Sequence, residues 1–305
     1  MKRQCNGQVS PSDQRPELGS LIDEFLSINL YRVDSAMDIA AKSGFSQSFA
    51  RIWTVASNVF LEVVRDRILY VVGVFAIVMV LAIAMLPEVS AGTEDKLILD
   101  TGLAAINLLS LFVVVFIGTG LINKEIEKKT VLVLIAKPIS RLEFILGKHL
   151  GLSLVMAVLI SALTAVMLGL LSISGIPFQL PLILLAVLFM FLEMVLLSAA
   201  AMMFGTITST VLATLMTLAI FAVGHETRNI LELDKIAESE SFRRIAEGLF
   251  LILPDLERLN LKNEIANGFV APPSGGGLVE NAIYGLIYTA LLLTITVTVF
   301  ERRQF

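Results

Sequence analysis

Only one cysteine, Cys5, occurs in 305 residues, so the chain can form neither an internal disulfide nor a cysteine cage for zinc. Two histidines cannot supply a zinc site by themselves, and no metal site is expected. Charge is also scarce: 16% of the residues are charged, against about 25% in globular proteins. The net charge of -4 provides no basic footprint for nucleic acid and no long polybasic tail for anionic lipid. Secreted disulfide scaffolds and nucleic-acid binders are excluded.

What fills the sequence instead is apolar, at 56% of residues, and it is concentrated in runs. Leu69 to Leu86 and Leu150 to Ile173 contain no acidic or basic residue. Such runs mark an all-α integral membrane protein. About 20 residues at 1.5 Å each cross about 30 Å of hydrocarbon, and six stretches qualify: Leu69 to Leu86, Thr101 to Ile122, His149 to Ile173, Leu180 to Phe204, Ile207 to Gly224 and Asn281 to Phe300. The fourth and fifth run almost together, which requires a tight turn near Gly205 to Ser209.

Residues 1–45 are largely polar and contain Pro11 and Pro16, with no apolar core for a cleavable signal peptide. They are expected to form a cytoplasmic tail. Residues 46–68 place Phe49, Ile52, Trp53, Ala56, Phe60, Val63 and Val64 at helical spacing. This predicts an amphipathic helix on the membrane surface with Trp53 at headgroup level; the alternative is a helix packed on another subunit. Residues 69–305 form the six-helix domain.

Basic residues in the connections set the orientation. Arg65 and Arg67 precede the first span, Lys124, Lys128, Lys129, Lys137, Arg141 and Lys148 lie between the second and third, and Arg302 and Arg303 follow the sixth. These regions share the cytoplasmic side, so both termini are expected inside. Residues 225–280 then form an outer loop carrying more acid than base. Phe242, Ile245, Ala246, Leu249, Ile252 and Leu253 predict a short helix stopped by Pro254, part of an outer cap lying on the membrane.

No enzyme emerges. Gly147-Lys148 is followed by His149 and preceded five residues earlier by Leu142, so the glycine-rich phosphate loop of an ATPase is absent. His225-Glu226 begins like a zinc-protease helix, but the second ligand would fall at Asn229. The chain is expected to bind no cofactor of its own.

The connection between spans two and three is more elaborate than a link requires. Glu125-Ile126-Glu127-Lys128-Lys129-Thr130 leads through an apolar turn to Lys137-Pro138-Ile139-Ser140-Arg141-Leu142-Glu143-Phe144, then to an amphipathic stretch ending at Lys148. This elbow suits the docking of a partner, although positive-inside anchoring would also account for its basic residues. Together with Asn58 to Arg67, it resembles the ABC-2 (type-2 export) family of ABC transporter permeases. Leu253-Pro254-Asp255-Leu256-Glu257-Arg258-Leu259-Asn260-Leu261 is similar to the branch that includes the permease for nitrous-oxide reductase maturation.

The resemblance implies the permease subunit of an ABC exporter in a bacterial-type inner membrane, moving a substrate the sequence does not name. It implies pairing with a second permease copy or a homologous permease, contact with membrane lipid, and two ABC ATPase subunits that hold ATP and Mg. Residues 125–136 would be the coupling helix, with Glu125, Glu127, Lys128, Lys129, Thr130, Leu132, Leu134, Pro138 and Arg141 as its contact residues. The rival reading is a non-transporting scaffold or sensor that docks a different cytosolic protein.

Within the spans, Ala157, Ser161, Ala165 and Gly169 recur every four residues, as for close helix packing. Asn107, Glu193, Thr210, Thr214 and Thr217 are the candidates for a translocation path. The threonines also suit packing, since Thr bonds readily to its own preceding turn. Glu193 lies mid-span, where an ionised carboxylate costs at least about 2.5 kcal/mol, so it must face protein or water. A structural hydrogen bond and a transport role are both open to it.

Overall fold

The computed structural model describes residues 47–63, 68–89, 94–127, 140–234, 248, 253–262 and 275–302. The chain divides into two units, Met1–Ala50 and Arg51–Phe305; of the first, residues 47–50 are described, and they are helical. All regular structure among the described residues is helical. In chain order the elements are α1 (47–63), α2 (Ile68–Val89), α3 (Glu94–Glu127), α4 (Arg141–Ile173), α5 (Leu180–Ile207), α6 (Thr210–Asp234), a 3-10 turn (Leu256–Leu259) and α7 (Gly275–Arg302).

Among the described residues four helices are long and apolar enough to cross a membrane: Asp95–Asn123 within α3, then α4, α5 and α7. The other two expected spans fall on α2 and α6, whose apolar stretches, Tyr70–Met85 and Thr210–Glu226, are shorter. The tail and most of the elbow, residues 128–139, lie outside the described residues, as does nearly all of the expected outer helix before Pro254.

Helix α5 occupies the middle of the bundle and touches α3, α4, α6, α7 and the 3-10 turn. Every residue from Glu193 to Met202 is buried, the all-round burial expected of a helix with no lipid-facing side at that level. Small residues bring α3 and α5 together. A Cβ on Gly118 would lie 2.9 Å from the Ala201 Cβ, and one on Gly205 only 2.7 Å from the Thr119 carbonyl oxygen. Such close approach compensates for the missing hydrophobic drive between helices in lipid.

Helix α4 runs unbroken for 33 residues, so the elbow's second amphipathic stretch and the third span are one helix from Arg141 onward. Ser140 explains the start. Its Oγ accepts from the Glu143 N–H at 3.1 Å while Glu143 Oε2 accepts from the Ser140 N–H at 2.9 Å, a reciprocal capping box. The helix ends where Gly175 takes φ +71°, and the Ile176 N–H bonds back to Leu171. Between α5 and α6 the break falls at Thr208 and Ser209, within the expected turn but three residues beyond Gly205.

The Ala157 to Gly169 stripe does not carry a contact within the described chain, for Ser161, Ala165 and Gly169 are exposed and Gly169 has open space around it. The close contact on α4 uses Gly147 and Gly151, whose Cβ positions would meet Val55 and the Ala56 carbonyl of α1 at 2.7 Å. Helix α1 consequently buries Ala56, Val59 and Val63 and leaves Trp53 55% exposed. It packs on α4 of its own chain, and Arg51 reaches Glu143 at 3.4 Å.

Candidate functional site: a buried polar cluster

In the connection between α6 and α7, residues 253–262 depart from the expected surface cap: Leu256, Leu259 and Leu261 are buried among α5, α6 and α7. Two glycines make room. A Cβ on Gly224 of α6 would meet Leu256 at 2.8 Å, and one on Gly285 of α7 would meet Leu259 at 3.2 Å. The Asp255 N–H donates to the Tyr284 hydroxyl at 2.8 Å, and Arg258 both pairs with Asp255 at 3.1 Å and lies over the Tyr284 ring. This wedge carries Lys262 toward the bundle interior.

Below the wedge, three helices converge on Glu193, which has no solvent exposure. From α3, Asn107 Nδ2 donates to Glu193 Oε2 at 3.2 Å. From α6, His225 Nε2 stands 3.3 Å from Glu193 Oε1 without hydrogen-bond alignment. Lys262 and Glu257 of the wedge act on Glu193 electrostatically. Burial lowers the pKa of the Lys262 ammonium, against the opposing pull of Glu193, Glu257 and Asp100. A carboxylate that looked unpartnered along its own helix therefore finds its polar neighbours on other elements.

The other candidate path residues lie elsewhere. Thr214 and Thr217 each donate to the carbonyl four residues earlier, at 2.8 Å in both cases, and Thr210 supplies one of those carbonyls. Thr214 also meets Thr119 of α3 at 3.2 Å. Eleven residues separate Thr214 from His225 on α6, or about 16 Å at 1.5 Å per residue, so Thr214 joins α6 to α3 well away from the Glu193 cluster. Asn107 and Glu193 are brought together; the threonines are not part of that group.

Of the elbow's contact residues, Lys128, Lys129, Thr130, Leu132, Leu134 and Pro138 lie outside the described residues, and Glu125 and Glu127 belong to the last turns of α3. Arg141 is placed firmly. Its guanidinium donates to the carbonyl oxygens of Phe300 and Glu301 at the end of α7. Nearby, Lys148 Nζ donates to the Leu121 carbonyl at 2.9 Å, and Phe144 stacks on Phe300. Among the described residues no group of three or more His, Cys, Asp or Glu side chains is arranged to hold a metal ion.

Sequence reasoning missed His225 and Lys262 as members of the cluster. The available signal was slight: one of only two histidines, at the end of an apolar run and beside a glycine.

Apolar helices around an interior polar cluster define an integral membrane protein of the helical-bundle class. The chain belongs to the ABC-2 family of transporters: residues 53–305 match the family described as ABC-2 family transporter protein. No curated protein matches it. It is the membrane permease subunit of an ABC transporter, and its partners are ABC ATPase subunits. The missing phosphate loop agrees with a family whose permeases carry no ATPase site of their own.

Proposed function

We propose that this permease subunit is one half of an exporter in a bacterial-type inner membrane. It pairs with a second copy or a homologous permease and couples ATP hydrolysis on two separate ATPase subunits, which hold ATP and Mg, to movement of a substrate. Its six spans leave both termini in the cytoplasm and residues 225–280 outside. Residues 125–136 dock in the ATPase, and Glu193 with Asn107 lines the path. The similarity of Leu253 to Leu261 supports kinship with the branch of the nitrous-oxide reductase maturation permease.

The observation that carries the transport reading is Glu193, a fully buried carboxylate in the middle of an apolar helix of a transporter-family chain. Intramembrane ionisable groups mark substrate or ion pathways by default, because a purely structural bundle does better without them. Basic residues on the elbow side support the orientation.

The test is co-purification of the permease with its ATPase and assay of ATP hydrolysis in lipid. Replacing Leu132 and Leu134 together by Asp puts charge into the docking groove, which should release the ATPase while the permease stays folded. A complex that survives with full stimulation overturns the docking assignment. For orientation, cysteines at Ser274 and Gln304 in a Cys5→Ser background meet an impermeant thiol reagent on intact cells. Labelling is expected at position 274 and not at 304; the reverse pattern rejects the topology.

A further inference from the structure

We infer that Glu193 and His225 together form a binding site for a single proton inside the helix bundle. This assignment stands independently of the export reading. His225 Nδ1 lies 2.9 Å from the carbonyl oxygen of Phe221, one turn earlier on α6. A carbonyl oxygen only accepts, so Nδ1 carries the hydrogen, and in the neutral ring Nε2 is left with a bare lone pair. That nitrogen faces Glu193 Oε1 across 3.3 Å, and neither atom has another hydrogen-bond partner.

The protonation count follows from the chemistry of two such groups without water between them. With no proton, a carboxylate oxygen and an imidazole lone pair confront one another, and both buried acceptors go unsatisfied. With two protons, a neutral acid and an imidazolium both present hydrogens and leave a net positive charge. One proton suits both atoms. Either the carboxylic O–H donates to Nε2 or the imidazolium N–H donates to the carboxylate, and the pair is neutral in each form. The proton therefore belongs to the pair rather than to either residue.

Neighbouring elements leave this arrangement intact. From α3, Asn107 is a neutral donor to the other carboxylate oxygen. The wedge contributes Lys262 and Glu257, whose charges act on Glu193 in opposite senses, and Asp100 of α3 acts on Lys262. On α4, Lys148 is bonded to the Leu121 carbonyl and His149 to Ser198. On α7, Tyr284 is engaged by Asp255 and Tyr288 packs on Tyr284, while Glu280 is exposed.

The experiment uses the full-length permease in lipid nanodiscs at neutral pH. Nitrogen-15 NMR of labelled histidine reports the charge and tautomer of each ring. Because the chain has two histidines, His149→Gln leaves His225 as the sole source of signal; should that variant not fold, His225→Gln assigns the resonance by its loss. Infrared spectra report the carbonyl stretch of a protonated acid, assigned by its loss in Glu193→Gln. The His225 imidazolium fraction and the Glu193 acid fraction are expected to sum to one proton, with Nδ1 protonated throughout. A sum near zero or near two overturns the site. So does a neutral His225 with its hydrogen on Nε2, a result obtained without any change at Glu193.

Discussion

Arg141 and Glu301 meet at 2.6 Å, the guanidinium Nη1 donating to the backbone carbonyl, with Phe300 O at 3.3 Å from the same nitrogen. The first residue of α4 thereby satisfies carbonyls that the last turn of α7 leaves without helical partners. Arg141→Ala should cost about 1.5–3 kcal/mol, the usual range for a hydrogen bond to a charged group, and should speed hydrogen exchange at the end of α7. The ATPase should remain bound. Release of the ATPase with unchanged exchange in α7 would return Arg141 to the docking surface.

Close backbone approach makes a second prediction at Gly205. Gly205→Ala drives a methyl toward the Thr119 carbonyl, 2.7 Å away, which neither helix can relieve by a rotamer change. A loss of about 1–3 kcal/mol is expected, as for other overpacked sites. Gly169→Ala is the matched control, with open space around it in the isolated chain. It should be neutral or stabilising by up to about 1 kcal/mol through helix propensity. Equal effects on thermal unfolding in detergent would refute the crossing.

Glu193→Gln and Glu193→Leu separate hydrogen bonding from charge. Gln retains an acceptor for Asn107 and a polar group opposite His225, so assembly should survive. Leu strands two buried polar partners, each costing about 1–3 kcal/mol. The measurement is the yield and unfolding temperature of the assembled complex, and a Leu variant as stable as Gln would place the side chain against lipid.

Lys262 supplies a pH dependence. Burial holds its pKa below the ordinary 10.5, so the unfolded chain binds that proton more tightly than the fold does. Stability therefore rises with pH between the lowered value and the ordinary one, as the penalty for burying an ammonium disappears. The stability of the wild type relative to Lys262→Gln should be lowest near neutral pH and climb as the solution approaches the ordinary lysine value. Chemical unfolding in detergent across that window checks it; a flat or falling difference contradicts it.

Hydropathy is a local property, and the apolar runs accordingly fall on α2 through α7, of which four among the described residues are long enough to cross a membrane. Capping is local as well: Ser140 and Glu143 are three residues apart, yet the apolar-turn pattern before them suggested a separate elbow helix. The cluster is different in kind. Glu193 and His225 are 32 positions apart and Glu193 and Asn107 are 86, with no periodicity linking them. Nor does composition distinguish a leucine on a membrane surface from Leu256, whose burial depends on the space left by Gly224. The stripe on α4 shows the same limit, since small residues permit close approach without specifying what approaches, and no element of the described chain does so at Gly169.

Asn123 Nδ2 donates to the Thr208 carbonyl at 3.0 Å, fastening α3 to the two-residue break between α5 and α6. A hairpin free at its apex flexes like a fork. Pinned to a third strut, it becomes a triangulated frame that resists shear, and the Gly118 and Gly205 contacts brace the same frame along its length.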